Sequence, residues 1–485
     1  ISIHSRSPLR AEGTEMTIED ILYGIRTVKE SDMLPLSKVK TAEDKKNYEQ
    51  EGYIVPYTYG EWKERFPGID ADYIFMFNGI NFSVVYHDKE NLTYLHLLPL
   101  VMARGEKEIS AMAEKVKMSI KHCSEHLQGK TYFQLLFSYP DALRVEGLEQ
   151  LLQIEGPTEA FYKVFVEIYT ASDFFTRNLS PKIVDALRKA KSEVQQKETE
   201  RRLQKYFGDT KDIIVYRGMS EHSTPAEKAL SWTPNINVAY RFAVAYSQEP
   251  QVVQGIIKRE DILEYISPDT TMGNEEEIIV EPGKVNIQER NLLLTPDSDE
   301  MCVLTDEVLP VYQTYRQKLK KLYQKHANGL SGHDAEHSLR VLLLALLLAA
   351  KYNVSKAEMK QIAEAAIYHD IGRVDEAANT SHGKLSEIIY EKDGGKDKAV
   401  AFLIRNHCVD DETAHNELIG LFSFKTQKRV EVLYGILKDA DALDRVRFGF
   451  AINPMSDGLD VRYLRNAFAR KLVFFATKAK GALKL

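Results

Sequence analysis

The sequence is poor in cysteine. Cys123, Cys302 and Cys408 lie far apart in 485 residues, and no CxxC pair exists. That excludes a disulfide framework and a cysteine-built zinc site, and it points to a reducing compartment. Long apolar runs are also missing. The longest, Val341–Ala350, is bounded by Arg340 and Lys351. It reaches about half the length that spans a bilayer, so it reads as a buried core helix and no transmembrane segment is expected. Residues Ile1–Arg10 carry no apolar secretory segment, and the expectation is a cytoplasmic chain. Basic charge is not in excess either. The net charge of −7 argues against a chain devoted to nucleic acid, and no nucleic-acid partner is expected. What is present is ordinary for a globular protein: 44% hydrophobic and 28% charged residues. The length suggests about three domains.

The local patterns give a multidomain α+β chain. An N-terminal α+β domain is expected over residues 1–145. The short β-rich runs Tyr73–Phe77 and Phe82–Tyr86 flank Asn78-Gly79-Ile80-Asn81, a hairpin signal. Leu92–Leu97 and Tyr132–Phe137 read as further strands. Glu108–Leu127 reads as a helix with Met112, Val116, Ile120 and Cys123 on one face. Residues 146–300 form the next expected domain, helical to about 206, with Arg188–Lys205 as a solvated face. Strands follow at Asp212–Tyr216, Leu230–Thr233, Val252–Lys258, Glu277–Val280 and Lys284–Gln288. Thr295-Pro296-Asp297 and Pro310 mark a boundary, and an all-α domain is expected over 310–485.

Three segments of the middle domain stand in an order that suits chemistry on a glycosidic bond. Tyr216-Arg217-Gly218 ends a β-branched strand, and an arginine there can fork onto phosphates. Ser231-Trp232-Thr233 forms a second short strand, whose hydroxyls can hold a carboxylate rotamer. Glu275-Glu276-Glu277 opens a third. Alternation in a strand puts Glu275 and Glu277 on one face and Glu276 on the other. Two carboxylates on one face can stabilise an oxocarbenium-like centre and handle the acceptor proton.

Together these segments resemble the mono-ADP-ribosyltransferase family of the Arg–Ser–Glu type. The family's usual Ser-Thr-Ser stands here as Ser231-Trp232-Thr233. The resemblance covers roughly residues 150–294 and implies a mixed β-sandwich with a helical lobe that binds NAD as substrate. Arg217, Gly218, Ser231 and Thr233 would meet NAD. Glu277 would stabilise the oxocarbenium, Ser231 would position Glu277, and Glu275 would orient the acceptor, a protein arginine in the first instance.

The chain's histidines gather in the last domain. His337 shares a helix face with Val341, Leu344 and Leu348. His369 and Asp370 continue the apolar stripe of Met359, Ile362, Ala363, Ala366 and Ile367. Such residues turned into a helical core would cost several kcal/mol unpaired. A divalent metal removes that cost, because imidazole and carboxylate are both ligands. The stretch resembles the HD-domain phosphohydrolase superfamily. That implies His337, His369, Asp370 and Asp441 as ligands of Mn, Fe, Mg, Ni, Co or Zn, with His333 the weaker candidate for the first position. His382 and His407 fall where a second metal or the substrate is held in some members. Arg373, Lys384 and Arg445 are candidate phosphate contacts. The implied substrate is a nucleotide or phosphoester.

Beyond Asp460 no acidic residue occurs, while Leu464, Phe468, Leu472 and Phe475 form an apolar stripe among basic residues. A terminal helix docked on the HD region is the expectation, with binding to an anionic membrane or nucleic acid the sharper alternative. The combined expectation is a bifunctional enzyme, transferase plus phosphohydrolase, of the toxin or effector kind and delivered without a signal peptide. The alternatives are a phosphohydrolase whose transferase-like domain only senses NAD, and a non-enzymatic scaffold.

Overall fold

In the computed structural model, described residues are 33–78, 84–172, 179–221, 223–245, 247–270, 275–326, 335–374, 381–453 and 455–482. Strands β1 (Met33–Pro35), β2 (Ile74–Phe77), β3 (Val84–Asp88) and β4 (Thr93–His96) form one antiparallel sheet in sequence order. The hairpin expected around Asn78 is the β2–β3 pair, and its tip lies outside the described residues. Between β1 and β2 run α1 (Ala42–Gln50) and α2 (Tyr59–Arg65), each opened by a reciprocal Thr–acid capping box, Thr41 with Asp44 and Thr58 with Glu61. After β4 come α3 (Leu98–Met102) and the long α4 (Glu106–Gln128), whose Met112, Val116 and Ile120 pack on the sheet's core as expected.

Tyr132–Phe137 is not a strand but helix α5. Its buried residues Tyr132, Leu135 and Leu136 stand at helical spacing, and a short apolar run fits either period until packing decides. Helices α6 (Asp141–Glu155), α7 (Glu159–Thr170), α8 (Pro181–Ala190) and α9 (Glu193–Phe207) follow. The chain divides into two compact units at Tyr206/Phe207, not near 145 and 300. The physical reason is packing: α6, α7 and α8 contact one another, and α6 and α7 contact α5, whereas the strands after 207 share a core with the C-terminal helices.

The unit from Phe207 onward begins with two three-stranded antiparallel sheets. One has the order β10 (Asn286–Leu292), β7 (Gln251–Lys258), β5 (Asp212–Met219), and the other the order β6 (Ser231–Trp232), β9 (Glu277–Val280), β8 (Ile262–Ile266). Tyr216 and Thr233 join the sheets through mutual backbone bonds of 2.7 and 2.9 Å. Strand β8 has no counterpart in the sequence expectation, and β10 is shifted toward the C-terminus of the predicted run. Helix α10 (Ile236–Ala245) presses on β5 so closely that a Cβ on Gly218 would sit 2.0 Å from the Ala239 carbonyl. Gly218 is therefore required by packing.

Helix α11 (Asp299–His326) starts well before Pro310 and carries it inside. Proline tolerates an interior position when the lost backbone bond is absorbed, and the predicted break there does not occur. Next come α12 (Ala335–Lys351), α13 (Lys356–Tyr368), α14 (Ser381–Lys392), α15 (Lys398–Asn406), α16 (Asp411–Leu421) and α17 (Phe424–Asp444). Helix α12, which holds the Val341–Ala350 run, is the central one. It is buried from His337 to Ala350 and packed by α11, α13 and α17. The tail folds as α18 (Ala467–Lys471) and α19 (Val473–Ala482), with Leu464, Phe468, Leu472 and Phe475 buried. The docked tail expected from the apolar stripe is thus present. One apolar core runs from Ala239 of α10 to Ala479 of α19. Among the described residues no helix is long and apolar enough to cross a membrane.

Candidate functional site

Five helix ends meet at one point in the helical region. His337 comes from the first turn of α12, and His369 and Asp370 directly follow α13. His382 comes from the first turn of α14, His407 directly follows α15, and Asp441 and Asp444 lie at the end of α17. His369 and His407 use the same device. Each sits at a helix C-cap and bonds through Nδ1 to the carbonyl three residues back, Ala366 at 2.8 Å and Ile404 at 2.7 Å. This satisfies an orphan carbonyl and makes Nδ1 the donor, so each Nε2 presents a lone pair. His337 Nδ1 donates to Asp444 Oδ2 at 2.8 Å. A carboxylate behind an imidazole fixes its tautomer and raises its basicity.

The Nε2 atoms converge. His337 Nε2 stands 3.1 Å from His369 Nε2 and 3.4 Å from both Asp370 Oδ2 and Asp441 Oδ1. On the other side of Asp370, Oδ1 lies 3.2 Å from both His382 Nε2 and His407 Nε2, which are 3.1 Å apart. All these residues are buried except Asp441, which is partly exposed. Burial opposes charge on His337, but Asp370, Asp441 and Asp444 outweigh it and hold the imidazole well above its ordinary pKa. Burial pushes His369 down to about 4. His382 is raised to about 9, because Asp370 and Cys408 outweigh its burial. Facing imidazole nitrogens with carboxylates between them become a donor set for cations once His337 and His382 give up their protons. His337, His369 and Asp441 form one group able to hold an ion.

Residues 334–446 match the HD domain family. No curated protein and no solved structure matches the chain. An HD domain suggests metal-dependent phosphohydrolase activity, a nucleotide or phosphoester substrate and divalent-metal binding, and the buried histidine–aspartate cluster fits that donor chemistry. Within the HD domain, glycines permit the close approaches. A Cβ on Gly372 would meet Ser386 N at 2.4 Å, and one on Gly383 would meet the Arg405 carbonyl at 2.3 Å.

The other sequence candidates fall as follows. Arg373 lies against the cluster, with Nη2 at 3.2 Å from His382 Nε2 and Nε at 3.6 Å from Asp370. Lys384 stands on the exposed face of α14. Arg445 is exposed and donates to the Asp457 carbonyl at 3.1 Å. His333 lies outside the described residues.

Two residues were missed, Asp444 and Cys408. Asp444 gathers His337, Arg340 (Nε to Oδ1, 2.5 Å) and Arg447 (2.8 Å). Asp444 is one turn beyond Asp441 and Arg340 is three residues beyond His337, but spacing alone does not tell which neighbour the carboxylate reaches. Cys408, which no motif recruits, groups with His382 and His407, all ligand atoms lying within 4.8 Å of one another. A thiol therefore stands beside the histidine and aspartate cluster.

The match leaves the strand region outside it. There, Ser231 Oγ donates to Glu277 Oε1, and Arg217 Nη1 donates to the Ser231 carbonyl at 2.7 Å. Trp232 points into the core and is 1% exposed. Thr233 Oγ1 accepts from Asn235 N at 3.1 Å, which turns the chain into α10. Strand β9 begins at Glu277, so the alternation expected to align Glu275 with Glu277 does not extend to Glu275. Glu275 is paired with Arg241, and Glu276 accepts from the Tyr265 hydroxyl.

Proposed function

We propose that the chain is a metal-dependent phosphohydrolase acting on a nucleotide or phosphoester, with two cation positions that share Asp370. The observation that carries this reading is Asp370 itself, whose Oδ2 faces His337 and whose Oδ1 faces His382 and His407. His337, His369 and Asp441 would hold one cation, and His382 and His407 the other. Divalent cations in such sites supply Lewis acidity toward phosphate oxygens and acidify water. The chain's own residues hold the imidazoles in register through the Ala366, Ile404 and Asp444 contacts. Arg373, beside Asp370, brings a fixed positive charge to the second position. Manganese-supported phosphate release from a nucleotide panel tests this, with His369→Ala/Asp370→Ala as the control that must abolish it.

A second reading adds NAD-dependent mono-ADP-ribosyltransferase activity on a protein target. The Ser231–Glu277 hydrogen bond favours it, because it and the Arg217–Ser231 bond link the three segments that carry the resemblance. Ser231 would hold Glu277 toward the nicotinamide ribose, and Glu275 would orient an arginine acceptor. The HD domain would then act on a nucleotide or on the ADP-ribose adduct, as a toxin or effector could use. Nicotinamide release from NAD tests this reading, and a rate unchanged by Glu277→Ala rejects it without touching the hydrolase. NAD binding without release would leave the strand region a sensor.

A further inference from the structure

A sheet face that packs against helices is expected to be apolar. The face of the β10–β7–β5 sheet turned toward the C-terminal helices breaks that rule in one row. Tyr216, Gln254 and Glu289 are register partners across its three strands. Together with Tyr240 of α10 and with Arg470 and Lys471 of α18 they line a cavity of about 70 Å³. That is several times the ~10–15 Å³ one water needs, and is room for a tetrahedral oxyanion.

The polar groups in this cavity are largely unpaired within the described residues, although Glu289 and Lys471 are exposed to solvent. Among the described residues the hydroxyls of Tyr216 and Tyr240, the Gln254 amide, the Glu289 carboxylate and Lys471 Nζ have no hydrogen-bond partner. Arg470 has a single acceptor, the Leu464 carbonyl at 3.3 Å, and its Nε is buried without one. A buried guanidinium nitrogen left unpaired is costly and calls for a partner. Two cations against one carboxylate select an anion. The carboxylate narrows the choice further, because it accepts a hydrogen bond and so favours an oxyanion that still carries a proton. Phosphate near neutral pH offers both acceptor oxygens for Arg470 and a P–OH for Glu289, whereas sulfate offers no donor, and a nucleotide's end phosphate offers the P–OH when it binds as the monoanion. None of the candidate catalytic or metal-holding residues lines the cavity.

We propose that this cavity is a binding site for a phosphate group, either free phosphate or the end group of a nucleotide. The site is separate from both candidate active centres and rests on neither enzymatic reading. Calorimetric titration of the full chain with inorganic phosphate tests it, alongside the Arg470→Gln, Tyr216→Phe and His369→Ala/Asp370→Ala variants. Saturable binding is expected to weaken about tenfold in Arg470→Gln, through loss of a charge-assisted bond. It is expected to weaken measurably in Tyr216→Phe and to persist in His369→Ala/Asp370→Ala. Tyr216→Phe keeps the ring in the core, so it decides the matter if Arg470→Gln does not fold. Sulfate should bind clearly more weakly than phosphate. No saturable binding, binding indifferent to both cavity variants, or equal binding of sulfate would overturn the proposal. AMP binding through Arg470 at least as tightly as phosphate would support it with a nucleotide as the source. Phosphate binding without AMP binding would support it with free phosphate as the source.

Discussion

At the residue scale, proton placement governs the HD domain. His337 and His382 are held above their ordinary pKa, so in the metal-free protein both are protonated at neutral pH. Raised pKa values give that form stability that is full below about pH 6.5. For His382 it fades as pH rises toward about 9. A cation must displace these protons. Metal uptake should therefore release protons at pH 7, and apparent affinity should rise between pH 6 and 9. Calorimetry in buffers of differing ionisation enthalpy measures the release. Asp444 acts one step behind the ligands, and Asp444→Asn should lower metal affinity about 10–100-fold, as read by competition with a chelating dye. His337, His369 and Asp370 stand out in the sequence because polar residues on an apolar helix face need a reason, whereas Asp441 entered only through the resemblance. Asp444 did neither, since its role depends on which neighbour its carboxylate reaches. Asp439, two residues before Asp441, shows the same limit: it is fully buried, yet it binds the Arg465 and Asn466 backbone on the opposite side of α17.

At the element scale, helix ends and close approaches build the site. Gly383→Ala would place a Cβ 2.3 Å from the Arg405 carbonyl and 2.8 Å from Cys408 Sγ. This should push α14 from α15 and separate His382 from His407. The expected outcome is a loss of about 1–3 kcal/mol of stability, measured by urea unfolding, together with weaker binding at the second cation position. Helices with long periodic stripes, such as α4 and α12, were readable from sequence. The Tyr132–Phe137 run was not, because six apolar and polar residues fit either period, and its helix is fixed by Leu135 and Leu136 entering the core. Strand β8 escaped because Ile262–Ile266 is short and preceded by charge. Glu275 was placed on the strand by alternation, but the strand starts two residues later.

At the scale of the whole molecule, the strands after Phe207 and the HD helices form one unit. Asn237 shows how. It is fully buried, donates to the Ala451 carbonyl at 2.9 Å and Asp460 at 3.0 Å, and accepts from Val461 N at 2.9 Å. Asn237→Ala should cost about 1–3 kcal/mol by leaving those groups unpaired. Hydrogen exchange should show β5, β7 and α12 losing protection together, because they open as one cooperative unit. Sequence composition suggested separate domains here, since the change from strand to helix near 300 is sharp. It could not reveal that α10 and the tail would bury their apolar faces in a common core.

The measurement that tests the account most directly is metal content by mass spectrometry, taken with phosphate release, on the chain and on His369→Ala/Asp370→Ala. The account predicts up to two divalent ions per chain and metal-supported hydrolysis, with both lost in the double variant while the helical fold persists. A double variant that keeps its full metal content and its hydrolytic rate would contradict it.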